Sequence, residues 1–164
     1  MPFEGSYLWR LRQKIGSDLV LIPGAMVLLV RDDGALLFTR RADNALWCLP
    51  AGGAEEGSSF ATTAITELRE ETGLQVDPAD LEAFACLSEA SLHTITYPGG
   101  DVSHCFALLF LARRWTGEPH PDGVETTEML WADPTEPPSP MQDPSAHALD
   151  LYRAYLREGT FQVR

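Results

Sequence analysis

The chain is poor in positive charge. Twelve Lys and Arg stand against twenty-four Asp and Glu, giving a formal charge of −12 at pH 7. Nucleic acid polymers are bound largely by replacing their counterions with Lys and Arg, so nonspecific binding to one is disfavoured. A small anionic metabolite stays open, provided metal ions bridge it to acidic residues. Cysteine is scarce too: Cys48, Cys86 and Cys105 form an odd set without metal-ligand spacing. They read as reduced thiols of a cytoplasmic protein. His93, His104, His120 and His147 form no close pair, which leaves a zinc site or a nucleophilic triad with little support. No apolar run approaches membrane-spanning length, and the N-terminus lacks the charged-then-apolar pattern of a secretory signal. Internal repeats are missing. With 45% apolar residues over a chain of 164, residues 1–164 read as one domain able to bury a core.

What the chain does have is a dense stretch from Gly52 to Leu74. Its first half is a glycine-rich loop and its second half a helix. Ser58 or Ser59 can cap the helix by accepting from unpaired first-turn amides. Phe60, Ala61, Ala64, Ile65 and Leu68 recur at helical spacing and are expected to face the core. Gly73 stands where a left-handed residue commonly ends a helix. Glu67, Glu70 and Glu71 lie three and four apart, so their carboxylates share one side of the helix. Three carboxylates on one turn repel each other unless they take up protons, splay into water or share a cation. Taken alone they would read as a solvated acidic face. Gly52 and Gly53 in front of them let backbone approach a ligand closely. Mg²⁺ suits such a set, because it prefers oxygen ligands and keeps waters for a phosphate substrate. Mn²⁺ is the alternative.

The stretch resembles the signature of the Nudix hydrolase superfamily: Gly, five residues, Glu, seven residues, then Arg-Glu-apolar-x-Glu-Glu-x-Gly-apolar. Gly52 matches the opening glycine, and Glu67, Leu68, Glu70, Glu71, Gly73 and Leu74 match the end. Two positions depart. Ser58 replaces the first glutamate and Thr66 replaces the arginine, which in the family helps hold the glutamates in place. Arg69 lies close in sequence but not at the equivalent position. Trp47-x-x-Pro50-x-Gly52-Gly53 also resembles the family, as does the acidic segment Glu125, Glu128, Trp131 before the last core strand.

The flanks supply an α/β pattern. Tyr7, Leu8, Leu11 and Ile15 near helical spacing predict a helix over about 6–15. Its apolar stripe would lie against its own domain, or against a second subunit in a homodimer. Leu19–Ile22 is extended, with Pro23-Gly24 as a break before an apolar strand from Ala25 to Val30. Asp32-Asp33-Gly34 signals a hairpin turn, and Ala35–Thr39 the returning strand. Arg40 and Arg41 leave the sheet, as solvated residues or as clamps on a phosphate. Trp47 either stacks on a base or packs in the core. Leu81–Ala90, Leu92–Tyr97 and Val102–Ala112 read as strands, with a turn at Pro98-Gly99-Gly100-Asp101. Five prolines between Pro134 and Pro144 suggest an extended linker. Asp143 would cap a last helix over about 144–158, with Pro144 at its first position.

The resemblance sharpens this pattern to a Nudix-like α/β/α sandwich with a mixed sheet. It implies a pyrophosphohydrolase of acid anhydrides. The substrate would be a nucleoside diphosphate linked to another moiety, of ADP-ribose or nucleotide-sugar type. Glu67, Glu70 and Glu71 would hold Mg²⁺, with the Gly52 carbonyl as a further ligand. Glu67, Glu71, Glu125 and Glu128 are the catalytic candidates, and the choice of general base stays open among Glu67, Glu125 and Glu128. Arg41, Trp47 and Gly53 are candidates for binding a small-molecule nucleotide. Two other functions fit the same residues. One is a pyrophosphatase sanitising a damaged nucleoside triphosphate. The other, motivated by Ser58 and Thr66, is a weakly catalytic nucleotide sensor.

Overall fold

The structure is a computed structural model that describes residues 4–97 and 99–164. In chain order its elements are α1 (Tyr7–Ile15), β1 (Val20–Leu29), β2 (Leu36–Arg41), β3 (Trp47–Cys48), β4 (Ala51–Gly53) and α2 (Phe60–Thr72). They continue with β5 (Glu82–Leu87), α3 (Ala90–His93), β6 (Thr94–Thr96), β7 (Val102–Ala112), β8 (Thr126–Ala132), α4 (Asp143–Glu158) and β9 (Gln162–Val163). One sheet has the order β4-β1-β7-β5-β9, with β6 also paired to β7, and a second has the order β3-β2-β8. The first is mixed: β1 and β7 run parallel, while β4 and β5 are antiparallel to their neighbours.

Strand alternation sends successive residues to opposite sides, and the two cores follow from it. Met26, Leu28, Leu36, Phe38, Leu109 and Leu111 join both sheets to Leu149 and Tyr152 of α4. Ala25, Val27, Leu37 and Phe110 instead meet Ala64 and Leu68 of α2. The sheets thus lie between helices, as the α/β/α expectation requires.

Several local expectations are corrected. Pro23-Gly24 does not break the strand, because β1 runs through both in register with Phe106 and Ala107. The Pro23 carbonyl accepts from the Ala54 amide at 2.9 Å, so the missing proline N–H would also point toward the end of β4. The β1–β7 ladder therefore loses nothing. Asp33 does make its turn, accepting from the Ala35 amide at 3.1 Å. The returning strand β2, however, meets the first strand only through a Val30–Leu36 bridge and crosses into the second sheet with β8. In α2 the buried residues are Thr63, Ala64, Leu68, Glu71 and Thr72, whereas Phe60 is exposed and Ile65 half-buried. Residues 92 and 93 belong to the short α3 rather than to a strand. The expected turn at 98–101 begins outside the described residues at Pro98, and its remainder is closed by Tyr97 accepting from Gly100 at 2.9 Å. The proline segment is not a free linker. Pro140 accepts from the Trp47 amide at 2.9 Å and Gln142 donates to the Trp47 carbonyl at 2.8 Å. Gln142, not Asp143, caps α4, with Pro144 in its first turn.

The N-terminal helix forms, capped by Ser6, whose hydroxyl accepts from the Trp9 amide at 3.1 Å. Its apolar stripe, Leu8, Trp9, Leu11 and Ile15, is only half-buried. No residue of α1 belongs to either buried apolar cluster, and its one buried side chain is Arg12.

Candidate active site

The site forms where β4 passes the last turns of α2. Gly24 pairs with Gly53 and Ala25 with Gly52 across β1 and β4, and a Cβ on Gly24 would stand 2.6 Å from the Gly52 carbonyl oxygen. That close approach needs glycine. On the other side of Gly52 sits the Glu67 carboxylate, occupying the space that a side chain at 52 would take. The glycine is thus what allows Glu67 to lie directly on the backbone of the loop. Ser59, of the two serines considered, caps α2 by accepting from the Thr62 amide at 3.1 Å. Gly73 closes the helix with φ 73°, a left-handed conformation that glycine adopts without strain.

The three glutamates share a side of α2 but not an environment. Glu71 is buried, Glu67 half-buried and Glu70 exposed. Burial, followed by the charges of Glu70, Glu125 and Glu55, pushes the Glu67 carboxyl up to about 7. Glu71 is also raised well above the usual carboxyl range, by burial and then by Glu67. The positive charge of Arg41 opposes this, Glu125 adds to it, and the Ala51 amide opposes it again. One Glu71 oxygen, Oε2, is buried without a hydrogen-bond partner among the described residues. A carboxylate oxygen left bare in this way carries a real desolvation cost. Glu70 points to Arg69 at 3.6 Å in an exposed pair. Among the described residues, no three acidic, His or Cys side chains converge closely enough to hold an ion as they stand. The donor chemistry nonetheless fits a hard divalent cation. It consists of oxygens only, negative in excess and mutually repelling, with one oxygen buried and unpaired.

The structure separates the opposing glutamates. Glu125 acts electrostatically on both Glu67 and Glu71. Glu128 is held at 2.6 Å by Arg40, its register partner across β2 and β8. Arg40 also lies over the Trp47 ring, 5.9 Å from its centroid. Trp47, half-buried, packs against the core shared with α4. Arg41 is the cation that acts on Glu71, and it is gripped by Asp43 through two bonds of 2.9 and 2.7 Å. Asp43 therefore fixes the arginine whose charge acts on Glu71. Gly53 is at the exposed end of β4, and a Cβ there would stand 3.4 Å from Ile22 Cγ2.

Three residues at this site escaped the sequence reading. Asp122 accepts from the Val124, Glu125 and Thr126 amides at 3.1, 3.1 and 2.8 Å, which fixes the loop bearing Glu125. The Asp122-Gly123 turn pair was its signal. Asp43 had one as well, since the Arg-x-Asp pairing of Arg31 with Asp33 recurs at Arg41. Glu55 had none, because its partner is the N-terminal helix.

The NUDIX domain model matches residues 20–152. The chain belongs to the Nudix family. A Bacillus subtilis (strain 168) protein named "Putative 8-oxo-dGTP diphosphatase" is 31% identical over 112 residues, 68% of this chain and 66% of its own length. A MutT-like protein of Streptomyces ambofaciens is 44% identical over 54 residues, 33% of this chain and 35% of its own. The chain thus spans less than two thirds of the length of these curated relatives. Among solved folds, an ADP-ribose pyrophosphatase from Streptococcus suis superposes with a TM-score of 0.65 at 19% identity, covering 87% of this chain and 98% of its own. A UDP-X diphosphatase does so with a TM-score of 0.67 at 14% identity, covering 96% and 73%. At such identities these neighbours carry the Nudix fold and nothing finer.

Proposed function

We propose that this Nudix protein is a divalent-metal-dependent hydrolase. Its bond would be the phosphoanhydride of a nucleoside diphosphate linked to another moiety, with residues 1–164 acting as one catalytic domain. The observation that carries the reading is the Glu67 carboxylate seated on Gly52, with the unpaired Glu71 oxygen beside it and Glu125 across the cleft. Glu67, Glu71 and the Gly52 carbonyl would hold Mg²⁺ or Mn²⁺, joined by Glu70 once it turns from Arg69. Bound there, such an ion neutralises phosphate charge and makes a water more acidic.

The chain's own groups do the remaining work. Gly53, exposed at the end of β4, would present its backbone to a phosphate beside the loop. Arg41, held by Asp43, offers planar donors to an anion. Glu125, on a loop fixed by Asp122, is the carboxylate best placed to orient or accept a proton from the attacking water. Glu128, bound by Arg40, is a poorer candidate for that role. The three cysteines are free thiols, which suits a reducing, cytoplasmic setting. No helix among the described residues is long and apolar enough to cross a membrane.

A sanitising triphosphate pyrophosphatase is the second reading, favoured by the name of the Bacillus subtilis relative. Steady-state hydrolysis in Mg²⁺ of ADP-ribose, UDP-sugars and 8-oxo-dGTP separates the two. The first reading expects the highest kcat/KM on a diphosphate joined to a second group. Preference for the triphosphate would transfer the assignment. Tight binding without turnover of any of them would make the chain a sensor.

A further inference from the structure

The helix α1 stands apart from both cores, yet it is firmly attached. Besides a half-buried apolar stripe it has polar anchors, which reach two separate segments of the chain. At its start, the Tyr7 amide donates to both oxygens of Glu55 at 2.9 Å. Arg10 pairs with Glu56 at 3.0 Å and donates to the Gly5 carbonyl at 2.6 Å. Farther along, the buried Arg12 donates to the Val102 carbonyl at 2.7 Å and to Ser103 Oγ at 3.3 Å, and also to the carbonyls of Gly16 and Asp18. Its guanidinium faces Asp101 at 3.9 Å, and Ser17 donates to the same carboxylate at 3.0 Å. The helix therefore ties the acidic end of the glycine loop to the beginning of β7.

Glu55 and Glu56 lie between Gly53 and the α2 cap, on the segment that carries the carbonyl and amides of the site. Glu55 is one of the charges acting on Glu67. Left loose, it would have two outlets: water, or the same cationic position that Glu67 and Glu71 favour. The first free amide of a capped helix is a good third partner, because a carboxylate there meets both an unpaired N–H and the positive end of the helix dipole.

We propose that α1 is a positioning strap for the catalytic loop. Its Tyr7 amide fixes the Glu55 carboxylate, and Arg10 and Arg12 hold the strap to Glu56 and to the start of β7. Tyr7 and Glu55 are positioning residues in this scheme, acting through the loop and Glu67. The catalytic part of the inference rests on the hydrolase reading above.

The test removes one hydrogen atom. Tyr7 is the first residue of α1, where proline is tolerated. Ser6 already has the extended backbone that a proline requires of its predecessor, with φ −64° and ψ 162°. Tyr7→Pro thus deletes the amide donor, while Tyr7→Ala loses the same side chain and keeps the donor. Amide hydrogen exchange of residues 53–57 in the metal-free protein is read first, and kcat and KM in Mg²⁺ second. Relative to Tyr7→Ala, the proline variant should exchange faster in this loop. Its kcat should fall about three- to tenfold with KM nearly unchanged, the size expected for one partly exposed charge-assisted hydrogen bond. Arg10→Ala, which breaks only an exposed ion pair, should move both readouts the same way by less. Equal loop exchange in the proline and alanine variants would overturn the strap. Faster exchange with unchanged kcat would overturn its catalytic role. Absence of turnover in the parent protein would instead remove the hydrolase reading, and the exchange comparison alone then judges whether Tyr7 holds the loop.

Discussion

Glu67 and Glu71 hold protons more tightly in the folded protein than in the unfolded chain, and this fixes the sign of a pH effect. Below the ordinary carboxyl value of 4.5 both states are protonated and the pair costs nothing. As pH rises toward about 7 the unfolded chain ionises first, so the metal-free fold loses stability across that window. A divalent cation should cancel the loss. Thermal melts with Mg²⁺ or with chelator should therefore differ more at pH 8 than at pH 5, and the difference should shrink in Glu67→Gln. An equal Mg²⁺ effect at both pH values would contradict the electrostatics. The two neighbouring glycines give a contrast of another kind. Gly24→Ala sets a methyl against a backbone carbonyl and should cost on the order of 1–3 kcal/mol in chemical denaturation. The nearest atoms to a methyl in Gly52→Ala are those of the Glu67 carboxylate, the far end of a side chain rather than backbone. This substitution should leave the melt nearly intact while lowering turnover about a hundredfold by displacing that carboxylate. If Gly52→Ala destabilises as much as Gly24→Ala and retains its rate, Glu67 is not the group that matters.

At the scale of elements, the helix α2 was the most legible part. Its cap, its C-terminal glycine and the apolar pair Ala64 and Leu68 all stand as their residue types required. Its burial pattern was not. Glu71 is buried and Phe60 exposed, because the helix is aimed by the glycine loop and by its fit on the sheets rather than by hydrophobicity alone. The strands showed the same division. Val102–Ala112 was readable as a long apolar run. The crossing of β2 into a second sheet was not, since a tight turn at Asp33 also suits a simple hairpin. Long-range polar contacts left no local trace. Neither Arg12 under β7 nor Glu55 on the Tyr7 amide follows from any spacing in the chain. The missing signature arginine belongs to this scale as well. Thr66 on α2 offers no positive charge, and Arg41 from β2 acts on Glu71 in its stead. Restoring Thr66→Arg together with Ser58→Glu should raise Mg²⁺-dependent turnover, because charge-assisted bonds would orient Glu67 more firmly. An unchanged or lower rate in the double variant would mean that Arg41 and Asp43 already meet that need.

For the whole molecule, the surplus of negative charge and the Glu67 carboxylate against Gly52 fit the proposed hydrolase, in which a cation would be needed before an anionic nucleotide could approach. The family, the sandwich and the glycine-seated glutamate agree with that account, while the base, sugar and leaving group depend on loops whose shapes no motif encodes. The most direct test compares the parent protein with Glu71→Gln on the best substrate of the nucleotide panel, following product formation with and without Mg²⁺. The account predicts turnover that requires the metal in the parent, and a fall of about a hundredfold or more in the variant, whose melt with chelator should be no lower than the parent's because the buried charge is gone. Parent-like Mg²⁺-dependent turnover by Glu71→Gln, or full activity of the parent in chelator, would contradict it.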